Sequence, residues 1–75
     1  MIDVTFDRDA VTERLGEELH KLGLSQRKLG ELFGCCQHLI YAYYKGRSIP
    51  GAYYLTLMHY AGCDIIYILT GERRA

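Results

Sequence analysis

The chain has no excess of charge of either sign: across its 75 residues, nine Lys and Arg stand against nine Asp and Glu. No global field draws it to nucleic acid or to a membrane surface, so any such partner must meet a local patch. No apolar run approaches the roughly 18 to 20 residues that cross a bilayer. The opening MIDVTFDRD is acidic where a secretory leader is basic and then apolar. A soluble, cytoplasmic protein with no membrane partner is expected. The three cysteines are an odd number, and Cys35 and Cys36 are neighbours that cannot bridge each other without strain, so no disulfide scaffold is expected. Cys35, Cys36, His38, His59 and Cys63 lack the paired spacings of a zinc site, and no metal is expected. Cys35 and Cys63 read instead as small buried hydrophobes. No carboxylate pair, nucleophile with its base, or glycine-rich phosphate loop assembles at a workable spacing. That argues against an enzyme, and no cofactor or small-molecule ligand is expected.

What remains is a 49% hydrophobic chain with a single proline, enough for one core and one domain over residues 1–75. Its charge is polarised. Residues 1 to 19 hold six acids against Arg8 and Arg14, whereas residues 20 to 62 hold Lys21, Arg27, Lys28, Lys45 and Arg47 against Glu31 alone. The basic middle is the first functional hint.

Helical periodicity runs throughout, and nothing alternates as a strand. Val11, Leu15, Leu19 and Leu22 predict a first helix over about 8–22, with Asp7 or Asp9 as its cap and Gly23 as its stop. Residues 1–7 ahead of it are expected to lack order. Ser25 caps a second helix of about two turns, with Leu29, Leu32 and Phe33 inward and Gly34 at its end. The third helix spans 36–44, with Ile40 and Tyr43 inward and Gln37, His38, Tyr41, Ala42 and Lys45 outward, and Gly46 ends it. Tyr54, Leu55, Met58 and Ala61 mark a fourth helix, and Asp64 caps a fifth that runs towards Gly71.

About three residues join the second and third helices, and a link that short forces a steep crossing. Gly34 supplies positive φ in the turn, and Gly30 supplies a small residue where the helix axes come closest. A helix-turn-helix has this form, as does any αα-corner.

The run Arg14-Leu15, Leu22-Gly23-Leu24-Ser25-Gln26, Leu29, Leu32-Phe33-Gly34, Ile40, Tyr43, Lys45-Gly46 and Ser48-Ile49-Pro50 resembles the phage-repressor, Cro-like, XRE-type helix-turn-helix regulators. The tail from Gly62 through Glu72 resembles a common ending of their short members, so the likeness covers about residues 11 to 73. Three positions depart from it: Cys36 replaces the usual Ser or Thr cap of the recognition helix, Gly30 the usual alanine, and Ile66 a residue that is commonly polar. The resemblance implies an all-α, five-helix, lambda-repressor-like domain. It also implies a phage or prophage regulator of transcription that binds a palindromic double-stranded DNA operator as a homodimer.

On that resemblance residues 36–44 are the recognition helix, which lies in the major groove. Gln37, His38, Tyr41 and Ala42 would face the bases. Glutamine can pair with adenine N6 and N7, histidine can donate to guanine or phosphate, and alanine can touch a thymine methyl. Gln26, Arg27, Lys28, Tyr44, Lys45, Arg47 and Ser48 would contact phosphates, which add affinity without reading sequence. Gln26 would also brace Gln37.

A single domain reads too few base pairs to select a site, so a dimer surface is required. Residues 65–69 are five consecutive apolar side chains, more than one buried face of a short helix holds. Ile65, Ile66 and Ile68 are the expected interface, with Ile66 foremost. A protein-binding module of the same fold, such as an antitoxin or antirepressor, is the alternative, because fold alone does not fix the partner.

Overall fold

Local capping decides where the chain turns helical. The computed structural model describes residues 5–73, and within them the chain forms α1 (Arg8–Lys21), α2 (Gln26–Phe33), α3 (Gln37–Lys45), α4 (Ala52–Tyr60) and α5 (Ile65–Thr70), with no strand. Three side chains close helix N-termini: Asp7 accepts from the Ala10 N–H, Ser25 from Lys28 and Asp64 from Tyr67, at 3.0 to 3.1 Å. Cys36 stands at the N-cap of α3 without a side-chain hydrogen bond, and the helix runs from Gln37 to Lys45, one residue later at each end than the sequence suggests. Of the stretch expected to lack order, residues 1–4 lie outside the described residues; Thr5–Asp7 have no regular structure, and Asp7 is already the cap of α1.

The core draws on every helix and on the link before α5. Val11, Leu15 and Leu19 of α1 meet Leu29 and Phe33 of α2, Ile40 and Tyr43 of α3, Met58 of α4, Cys63, and Ile68 of α5. α1 packs on α3 and α5, α2 lies against α3, and α4 bridges α2 and α5. Two expectations are corrected here. Leu32 is 54% exposed, because α2 turns Leu29, Gly30 and Phe33 towards its neighbours and leaves Leu32 to solvent. Cys35 is half-buried and only Cys63 is a core residue, since the α2–α3 link runs along the surface. Among the described residues no helix is long and apolar enough to cross a membrane.

Gly30 is where α2 and α3 come closest. A Cβ there would lie 2.7 Å from the Cys35 carbonyl oxygen and 3.3 Å from the Gln37 nitrogen. The Cys35 N–H donates to the Gly30 carbonyl at 2.9 Å, which ties the link to α2. Because the obstructing atoms are backbone, they cannot swing aside as a side-chain tip would. Gly30→Val should therefore push the two helices apart and cost about 2 to 3 kcal/mol, checked by urea unfolding. A loss no larger than that of an exposed helix substitution would contradict this close approach.

Candidate nucleic-acid interface

The outward face of α3 follows from its period, since Ile40 and Tyr43 are anchored in the core. Gln37, His38, Tyr41 and Lys45 are exposed on it, and Ala42 is half-buried. Tyr41 organises its far end: Lys45 Nζ and Arg47 Cζ each lie 5.7 Å from the ring centroid, within cation–π range on the same aromatic ring. Arg47 reaches that position because the chain leaves α3 through Gly46 at φ +72 and doubles back. The Arg47 and Ser48 N–H groups then both donate to the Ala42 carbonyl, at 2.9 and 3.4 Å.

Gln26, half-buried, and Arg27 and Lys28, both exposed, stand on the first turn of α2, the helix that packs against α3. Among the described residues the ion pairs join Glu18, Lys21, Asp64 and Arg73, far from α3 in the sequence. Arg27, Lys28, Lys45 and Arg47 pair with no carboxylate of the described residues, which leaves their charge for an external anion. Ser48 is half-buried.

Tyr44 departs from expectation in one respect. Its ring packs over Gly16 of α1, where an added Cβ would sit 3.3 Å from Cδ1, so the ring belongs to the packing and only the hydroxyl remains for a phosphate. Burial raises the pKa of its hydroxyl above the ordinary 10.0, and burial also pushes the core phenol of Tyr43 up to about 12.

The expected dimer surface needs one correction. Ile68 is 1% exposed in the core, so it offers nothing to a partner; the helix spends it on α1, while Ile65 is half-buried and Ile66 is 39% exposed. Leu69 and Tyr60, neither expected there, are exposed too, at 45% and 81%. Between α4 and α5 runs an open, mainly apolar groove of about 610 Å³, bordered by Leu55, Tyr60 and Ile66.

Arg8 is the side chain that sequence reading missed. It donates from Nε and Nη2 to the Gly46 carbonyl at 3.0 and 2.9 Å, across 38 residues of chain. No local pattern signals that pair, and Arg8 counted only as a stray base in the acidic segment. The chain matches no family model, no curated protein and no solved structure.

Proposed function

We propose that this chain is a sequence-specific double-stranded DNA-binding regulator of transcription. In this reading α2 and α3 form a helix-turn-helix, with α3 in the major groove of each half of a palindromic operator, and the protein works in the cytoplasm as a homodimer. One observation carries it: a chain of zero net charge exposes Gln37, His38 and Tyr41 on one helix face and gathers Lys45 and Arg47 around the Tyr41 ring. Amide and imidazole groups supply base readout, while flanking cations supply phosphate affinity. The tight approach at Gly30 supports the same arrangement, because it fixes the angle at which α3 leaves α2.

Enrichment from a random duplex pool tests the proposal. The expected product is a palindrome with half-sites about one helical turn apart. Gln37→Ala should then cost about 1 to 3 kcal/mol on the enriched site and relax preference at one position per half-site, with little change on random duplex. Equal losses on both would remove Gln37 as a base reader.

The exposed apolar groove between α4 and α5 favours a second reading, a protein-binding module of the antitoxin or antirepressor kind. The same selection separates the two, since such a module enriches no duplex.

A further inference from the structure

The segment that follows α3 has its own hold. Gly46 takes a left-handed turn and is packed on α1: a Cβ there would meet Thr12 Oγ1 at 3.0 Å, and its carbonyl receives both Arg8 hydrogen bonds. On the other side the Arg47 and Ser48 N–H groups close onto the Ala42 carbonyl. The peptide joining Gly46 to Arg47 is therefore gripped at its oxygen by Arg8 and at its nitrogen by α3. A planar guanidinium gives two donors in a fixed fork, so it sets orientation where an ammonium sets only distance. It also places a cation at the carbonyl end of α3, where the helix dipole favours one.

We infer that Arg8 is a positioning residue of the nucleic-acid face: by fixing the Gly46 carbonyl it holds Arg47 over Tyr41, in place for a backbone phosphate. This rests on the DNA-binding reading above and adds to it a residue outside the helix-turn-helix. Arg8 is exposed and buries no core surface, so replacing it should leave the fold intact. Its effect would run through Arg47.

A double-mutant cycle on the full chain tests this. The affinity of a random-sequence duplex is followed by fluorescence anisotropy over a range of salt for the unaltered protein, Arg8→Ala, Arg8→Lys, Arg47→Ala and Arg8→Ala/Arg47→Ala, with thermal melts of each. Arg47→Ala should lower the salt slope by about one per protomer. Arg8→Ala should lose roughly threefold to tenfold in affinity with an unchanged melt. In the Arg47→Ala background that loss should vanish. Arg8→Lys, which keeps the charge but not the fork, should fall with Arg8→Ala. Losses that multiply in the double variant, or full affinity in Arg8→Lys, would overturn the positioning role while leaving DNA binding standing. If the unaltered protein shows no salt-sensitive affinity for duplex, the DNA reading falls and the role of Arg8 falls with it.

Discussion

Glu18→Ala should lower the free energy of unfolding by about 3 kcal/mol at neutral pH, more than any other single replacement on α1 of a residue outside its apolar stripe. Glu18 sits one turn before Leu22, yet its side chain is fully buried. Its Oε1 accepts the Asp64 N–H at 2.8 Å, and its Oε2 meets Lys21 Nζ at 3.0 Å and Arg73 Nη2 at 3.2 Å. Alanine would leave a cavity and strand the Asp64 N–H where α5 begins. Lys21 and Arg73 are half-exposed and would rehydrate, which keeps the loss at the low end for a broken buried pair. Arg73 would also lose the anchor that stacks it over Tyr67, 3.7 Å from the ring centroid. Glu18→Gln keeps the bond to Asp64 and should cost about 1 kcal/mol.

The pH dependence follows from opposed effects on that carboxyl. Burial pushes it up, but the Asp64 N–H, Lys21 and Arg73 together outweigh burial and hold it below its ordinary value of 4.5. A depressed carboxyl stabilises the fold above its unfolded value and loses that contribution as pH falls through its folded value. The gap between the native protein and Glu18→Gln should accordingly be largest at neutral pH and shrink well below pH 4.5, as urea unfolding at several pH values would reveal. A gap that stays constant with pH would mean that burial cancels these partners and that the carboxyl is not depressed in the fold.

In the homodimer proposed above, Ile66→Glu should abolish dimerisation and leave the monomer helical. At 39% exposure the side chain tolerates a charge in a free monomer, but at a two-fold interface the carboxylate is buried unpaired and twice over. The penalty is on the order of several kcal/mol per dimer. Operator affinity should drop with it, because two half-sites no longer act as one linked ligand. Ile68→Glu provides the contrast: with 1% exposure, it should unfold the domain. Sedimentation together with circular dichroism would distinguish the outcomes. Lost helicity in Ile66→Glu would put Ile66 in the core, and an intact dimer would move the interface elsewhere.

The contrast between Ile66 and Ile68 marks how far sequence reading reached. Caps and stops were legible because they are local chemistry: Asp7, Ser25 and Asp64 bond within three residues, and the all-α class followed from period. In a run of five apolar residues, period alone does not say which one turns inward. That depends on where α1 lies, a distant fact in the chain. Leu32 was misplaced for the same reason, since a two-turn helix has an inner face only relative to its neighbours. The outward face of α3 was legible from Ile40 and Tyr43. Its supports were not: Arg8 meets Gly46 across 38 residues, and Tyr44 lies over Gly16. Glu18 entered the sequence reading only as one of six acids in the first 19 residues, because a buried carboxylate is recognised only by the partners that surround it.

Salt dependence of duplex affinity is the most direct measurement of whether the α3 face binds DNA. Anisotropy titrations of an enriched duplex should give an association constant that falls linearly on logarithmic axes as salt rises, with the slope lowered by about one for each phosphate contact removed in Lys45→Ala or Arg47→Ala. An affinity indifferent to salt, or slopes unchanged in both variants, would contradict DNA binding by this face.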